Sequence, residues 1–248
     1  QSSSNLYIGY PSEPLSDLWK PIKKKISDSN SKLKTKAVVK KFIVEKNLIK
    51  YAQLSNGSII EADYFISTVP QKDLLNILKN SNIKYESLKN ESLLESAPII
   101  CLHLWFDKSI MNFNYLACAN GPTQWIFNVS KNHTKNDHHI VLSQSAAWEW
   151  IDKKKDEIKD IFLKDLHNIL PKSKESNLIK YTVVKQKNAT FRCEEKSEGS
   201  RQFRVPNLQN LSIAGDWTET GWPATMEGAV ISGNLGSEDA IRFLNLKN

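Results

Sequence analysis

Five of the nine glycines fall between Gly215 and Gly236, in a run that opens Gly215-Asp216-Trp217-Thr218-Glu219-Thr220-Gly221-Trp222-Pro223-Ala224-Thr225-Met226-Glu227-Gly228-Ala229. The order is apolar strand, acidic residue, tight loop, helix. A helix N-terminus concentrates unpaired N–H groups and a partial positive charge. Backbone around Met226, Glu227, Gly228 and Ala229 could therefore hold a negative group, as phosphate sites do. The electron-rich carbonyl edge of a reduced flavin is one such group. Asp216, directly after the strand, offers a carboxylate to sugar hydroxyls, and Glu227 in the first turn complements the helix dipole. Ala229, Gly233, Gly236 and Ala240 share one helix face and let backbone approach a sheet or a flat cofactor. The same spacing also suits a glycine-rich cap packed tightly on a sheet, and spacing alone leaves both readings open.

Other chemistry-bearing residues are dispersed. Cys101, Cys118 and Cys193 form no CxxC pair and no Cys/His cluster of zinc spacing, so no metal site is expected. A sparse, odd cysteine count fits a reducing compartment, and a cytoplasmic location is expected. His138 and His139 are adjacent and would fall on opposite faces of a strand, which is poor geometry for a shared metal. No Ser/His/Asp set or carboxylate pair stands out, which fits chemistry run by a cofactor.

Those residues need elements to position them. The 248 residues suffice for one to two domains with a real core. At 40% hydrophobic and 25% charged residues, the composition excludes collagen, a coiled coil and wholesale disorder. The longest apolar run, Ala97–Phe106, is too short to cross a bilayer as a helix. The net charge of +7 is local, because residues 1–50 hold 11 lysines against Glu13, Asp17, Asp28 and Glu45 while the remainder is neutral. The only arginines are Arg192, Arg201, Arg204 and Arg242, too few for a nucleic-acid reader, and no nucleic-acid partner is expected. Lys20–Lys41 reads as a solvated face or as a contact with an anionic membrane surface.

Periodicity predicts an amphipathic helix over Leu15–Ile26 and strands over Ala37–Val44, Leu48–Leu54 and Ile59–Ile60, with a hairpin turn at Asn56-Gly57. Tyr64–Val69 reads as a buried strand ended by Pro70, and Asp73–Asn80 as a helix. In Pro98–Asp107, Ile100, Leu102, Leu104 and Phe106 share one face and Cys101, His103 and Trp105 the other. Both faces are apolar or aromatic enough to be covered. Further strands are expected at Thr123–Val129 and Ile140–Ala147, joined by a polar loop over 130–139, and at Ile179–Lys185 and Leu211–Ala214. Helices are expected at Asp152–Leu170, stopped by Pro171, and at Thr225–Leu244.

The glycine-rich segment resembles the C-terminal signature of the flavin-dependent amine oxidase and phytoene desaturase superfamily. Within it, "AGDWTETGWPATMEGAVISG" resembles the hydroxysqualene dehydroxylases more closely than the carotene desaturases, which share the Met226-Glu227-Gly228-Ala229 step. "ADYFISTVP" at 62–70, "PIICLHLWFD" at 98–107, "QWIFN" at 124–128 and Ala189-Thr190-Phe191 with Arg201 downstream agree. The resemblance implies an α/β (mixed α+β) fold: a Rossmann-like FAD-binding lobe of the amine oxidase type plus a mixed-sheet substrate domain. It divides the chain at 1–35 (end of a substrate or membrane-facing region), 36–80 (FAD-lobe β-meander and core strand), 81–205 (substrate domain) and 206–248 (C-terminal FAD-binding strand and helix). These families open with a strand–GxGxxG–helix unit, and this sequence has no such motif. An N-terminal half is expected to be missing, and the chain alone is expected to bind FAD weakly or not at all.

By resemblance, FAD is the cofactor. Asp216 with Gly215 would bind the ribityl chain, Thr225 and Met226–Ala229 would meet the flavin ring, Val39 would contact the adenine, and Thr68 would run near the dinucleotide. Trp105, Gln124, Trp125 and Trp222 would line the substrate side, although each tryptophan also reads as aromatic core. The implied reaction is reductive dehydroxylation of hydroxysqualene to squalene in hopanoid or sterol precursor synthesis. The alternatives are a carotenoid desaturase, and an inactive truncated lobe acting as a binding module. The expected partners are a long-chain isoprenoid, a membrane surface contacted peripherally, and squalene-pathway synthases upstream.

Overall fold

The structure is a computed structural model that describes residues 15–84, 94–130, 138–194, 197 and 201–247. Most of the predicted polar loop 130–139 lies outside the described residues. The chain divides into two compact units, one formed by Gln1–Leu33 with Ala97–Lys187 and one by Lys34–Ser96 with Asn188–Asn248.

In the first unit a 3-10 turn at Leu15–Leu18 leads into α1 (Trp19–Asp28), and none of their residues is buried. The unit is built on β5 (Ser96–Phe106), β6 (Tyr115–Ala117), β7 (Trp125–Asn128), β8 (His138–Ser145), α3 (Lys155–Ile169) and β9 (Leu178–Phe191), whose last residues belong to the second unit. The strands form one sheet in the order β6-β7-β8-β5-β9. Alternation along β5 works as the sequence predicts for one face: Ile100, Leu102, Leu104 and Phe106 are buried with Ile126, Ile140 and Leu142. They pack in one cluster with Ile158, Phe162 and Leu166, the apolar stripe of α3. The helix ends where Pro171 opens a 3-10 turn. Asp165, on the same helix, accepts the Thr123 N–H at 3.1 Å and so fixes the loop before β7.

The other face of β5 departs from expectation. Ile99, Cys101, His103 and Trp105 are only half-buried, so the face is not covered as its composition suggested. The buried face takes the only helix that packs on this sheet among the described residues. The strand β6 was not anticipated from the sequence: it lies at the sheet edge, and only Leu116 of its three residues is partly buried.

In the second unit, β1 (Val39–Glu45), β2 (Leu48–Leu54) and β3 (Ile59–Glu61) form an antiparallel meander, as predicted. Gly57 alone takes positive φ (88°) in the second turn, with Asn56 Oδ1 accepting the Ser58 N–H instead. The tighter turn between β1 and β2 is made by Lys46 and Asn47, both at positive φ, with no glycine to announce it. Next come β4 (Phe65–Ser67), α2 (Gln71–Asn80), β10 (Leu211–Ile213) and α4 (Met226–Lys247). The strands β4 and β10 pair in parallel. The face of α4 that meets them carries Gly228, Ser232, Gly236 and Asp239, all buried. A Cβ on Gly236 would lie 3.3 Å from Ile66 Cγ2, so this glycine permits the close helix–sheet approach. Gly233 has open space around it, and the small-residue stripe read from the sequence is only partly the packing face.

Candidate functional site

The segment after β10 is held by its own side chains. Gly215 has φ +150°, and a Cβ there would come within 2.8 Å of Trp217 Nε1, so glycine is required. Its N–H donates to Ser232 Oγ at 2.7 Å, and Thr218 Oγ1 donates to its carbonyl at 2.8 Å. Trp217 is buried in the core cluster and donates from Nε1 to the Val69 carbonyl at 3.2 Å. Arg201, 4% exposed, ties the loop together. Its Nη2 donates to the carbonyls of Thr218 (2.7 Å), Trp222 (2.6 Å) and Asp216 (3.4 Å), and its guanidinium lies 5.1 Å over the Phe191 ring. Sequence reasoning noted Arg201 only as part of a resemblance. Its role becomes visible when three carbonyls of one loop converge on one nitrogen.

That loop places Asp216 on the wall of a cleft of about 850 Å³, together with Gly215, Thr68, Pro70, Gln71 and Thr190. Burial pushes the Asp216 carboxyl above the usual carboxylate range, while hydrogen bonds from its own and the Trp217 N–H and the Arg201 charge pull it down. Gln71 Nε2, on the same cleft, is buried with no hydrogen-bond partner among the described residues. No motif pointed to Gln71.

Three predicted cofactor residues, Thr68, Gly215 and Asp216, thus meet in one cleft, and Val39 and Thr225–Ala229 do not line it. Val39 opens β1 and packs half-buried against the core. Thr225 caps α4: its Oγ1 accepts the Gly228 N–H at 3.1 Å, and its carbonyl accepts the Ala229 N–H at 3.1 Å. A Cβ on Gly228 would meet the Pro223 carbonyl at 3.0 Å, so this glycine accommodates the loop that enters the helix. The N–H groups of Met226 and Glu227 remain without partners among the described residues.

Of the expected substrate residues, Trp105 and Trp125 lie on the half-exposed face of the first unit's sheet. Register sets this, since Trp105 pairs with His139, and Cys101 and Trp125 both pair with Ser143. Trp105 stacks on the His139 ring (4.2 Å, 10°), and Trp125 on Phe127 (6.0 Å, 13°). Gln124 precedes β7, and its Oε1 accepts the Ser145 N–H at 2.9 Å, which spends the side chain on the strand end. Trp222 belongs to the second unit and is 49% exposed.

A flavin dinucleotide needs acceptors for its sugar and ribityl hydroxyls, donors for its carbonyls and close backbone approach. The cleft supplies a half-buried carboxylate, an unspent buried amide at Gln71 and the obligate glycine at 215. The residues present fit the polyol part of that group. The backbone N–H groups of Gly228 and Ala229 are committed within the chain, which leaves Met226 and Glu227 as the free donors of the first turn.

Residues 13–241 match the family of flavin containing amine oxidoreductases. A 15-cis-phytoene desaturase of Solanum lycopersicum is 26% identical over 249 residues, covering 94% of this chain and 42% of the relative. A hydroxysqualene dehydroxylase of Sinorhizobium fredii is 27% identical over 151 residues, covering 61% of this chain and 34% of the relative. An oxidoreductase from Methanosarcina mazei shares the fold with a TM-score of 0.69 at 16% identity, over 88% of this chain and 52% of that one. The chain spans well under two thirds of the length of the relatives it matches. With the family matched along nearly the whole chain, the protein belongs to the flavin containing amine oxidoreductases.

Proposed function

We propose that the protein is an FAD-dependent oxidoreductase acting on a long-chain isoprenoid, and that its reaction is the reductive removal of the hydroxyl of hydroxysqualene. The observation that supports the flavin reading is the convergence of Thr68, Gly215 and Asp216 on one cleft. When bound, the flavin supplies two-electron transfer as hydride. Asp216 accepts hydrogen bonds from the polyol chain, and Gln71 donates to it. Trp105 and Trp125 offer a broad aromatic surface to a hydrocarbon and keep water from it. The isoprenoid class is supported by the activities named for the relatives, and the dehydroxylation by the loop Thr220-Gly221-Trp222-Pro223. A prenyl-coupling synthase would supply the substrate.

A second reading, carotenoid desaturation on the same scaffold, is favoured by one observation: the phytoene desaturase aligns over 94% of the chain and the dehydroxylase over 61%. Expression in cells that make hydroxysqualene, and separately in cells that make phytoene, tests both. Squalene accumulation supports the first reading and new conjugated double bonds the second. Neither product from protein shown to carry bound flavin would refute the isoprenoid assignment.

A further inference from the structure

We propose that the face formed by Leu15, Leu18, Trp19 and Ile22, on α1 and the 3-10 turn that leads into it, is a docking surface for a bilayer carrying anionic lipid headgroups. The surface belongs to the first unit and involves neither the flavin nor its cleft.

Isolated helices shorter than about 12–15 residues are marginal in water, and most helices in proteins are held by the apolar face they bury. The α-helical part of this segment has 10 residues, and neither it nor the turn before it buries a single side chain. Leu15, Leu18, Trp19 and Ile22 are between 47% and 61% exposed. At about 100° per residue, Leu18, Ile22 and Trp19 span an arc roughly 100° wide. Ile26 falls within the same arc one turn on and is only partly buried. A regular apolar face with no covering side chains among the described residues gains stability only from a partner.

The charges around the arc point to lipid. On the same helical geometry Lys23 stands just beyond the Trp19 edge and Lys25 just beyond the Leu18 edge, with Lys20 and Lys24 on the back. Lys20 is spent on Asp17 at 2.7 Å, whereas Lys23, Lys24 and Lys25 make no ion pair among the described residues. Lysines on both borders of an apolar arc can lay their stems against acyl chains while their ammonium groups reach headgroup phosphates. Trp19 at the border suits the headgroup level, where an apolar ring and an indole N–H both find partners. A nucleic-acid site would instead centre on charged forks, and here the centre is Ile22. No helix among the described residues is long and apolar enough to cross a membrane, so the contact is a helix lying in the plane of the interface.

Flotation of the full chain with phosphatidylcholine vesicles, with and without phosphatidylserine, tests the surface. The wild type should bind the phosphatidylserine vesicles more tightly, by about 5-fold for each lysine that reaches the headgroups. Lys23→Gln combined with Lys25→Gln should weaken that binding about 30-fold. Trp19→Glu should abolish binding to both vesicles while its thermal melting matches the wild type, because nothing in the segment is buried. Binding of Trp19→Glu at the wild-type level overturns α1 as the contact. Equal binding of the wild type to both vesicles, or an unaffected double-glutamine variant, overturns the recognition of anionic headgroups. A wild type that floats with neither vesicle overturns lipid as the partner and leaves the face to a protein. Sedimentation velocity without vesicles covers the remaining occupant: a dimer that Trp19→Glu dissociates makes a second copy of this chain the partner and overturns the lipid.

Discussion

Replacing Arg201 by Met should destabilise the second unit by about 2–3 kcal/mol and loosen the loop that presents Asp216. Arg201 is 4% exposed and donates to three loop carbonyls through one nitrogen, at 2.6, 2.7 and 3.4 Å. Hydrogen bonds to a charged group contribute about 1.5–3 kcal/mol each, so the two short ones set an upper bound of about 3–6 kcal/mol. Two effects reduce it. Met fills most of the volume over Phe191 without the desolvation cost of a buried cation. The Trp222 carbonyl lies in an exposed stretch and can turn to water, whereas Thr218 is fully buried and its carbonyl cannot. What remains is one orphaned buried acceptor and one lost charged bond. Arg201→Lys keeps the charge at a single donor nitrogen and should recover about half the loss, because its shorter reach cannot serve all three carbonyls. Urea unfolding of the three proteins measures the difference, and hydrogen exchange should rise at 216–222 in the Met variant. A loss below about 0.5 kcal/mol, or exchange that rises elsewhere, would refute the account of Arg201.

Three further outcomes follow from the same geometry. Gly215→Ala should cost about 2–4 kcal/mol, read by thermal unfolding, because the site combines φ +150° with a Cβ position 2.8 Å from Trp217 Nε1. Burial raises the folded-state pKa of Asp216 above its unfolded value, so the stability it contributes is present at low pH and lost as pH rises through the folded value. Asp216→Asn should therefore be more stable than the wild type at neutral pH, with the difference closing below about pH 3.9, and a pH series of melting curves checks this. The exposed stripe Leu15, Leu18, Trp19 and Ile22, flanked by Lys20, Lys23, Lys24 and Lys25, should bind anionic vesicles in flotation assays, weakening as salt rises. Binding equal to that of neutral vesicles would leave these lysines as a solvated face.

The legible parts of the fold were those with long periodicities. The buried face of β5, the apolar stripe of α3 and the meander over β1–β3 follow from side-chain periodicity, which a sequence displays directly. No helix among the described residues is long and apolar enough to cross a membrane, in keeping with the short apolar runs. The edge strand β6, which buries no residue fully, and a turn made by Lys46 and Asn47 leave no pattern to read. At the site, Gly215 and Asp216 were legible because glycine and an acid after a buried strand have few uses. Gln71 and Arg201 were not, because their significance lies in an unspent amide and in three converging carbonyls, and both arise only on folding. The face of α4 was misjudged in part: the stripe Ala229, Gly233, Gly236, Ala240 shares only Gly236 with the face that packs on the sheet.

The claim at the centre of this account is that one cleft, walled by Thr68, Gln71, Gly215 and Asp216, takes the polyol part of a flavin dinucleotide. Backbone amide NMR of the full chain during titration with FAD tests it directly, since chemical-shift changes report even weak binding residue by residue. The account predicts saturable changes at Thr68, Gln71, Gly215, Asp216 and Trp217. Asp216→Ala should weaken them by about 10- to 150-fold, the equivalent of one charge-assisted hydrogen bond of about 1.5–3 kcal/mol. Shift changes that cluster elsewhere, or that survive Asp216→Ala unchanged, would contradict it.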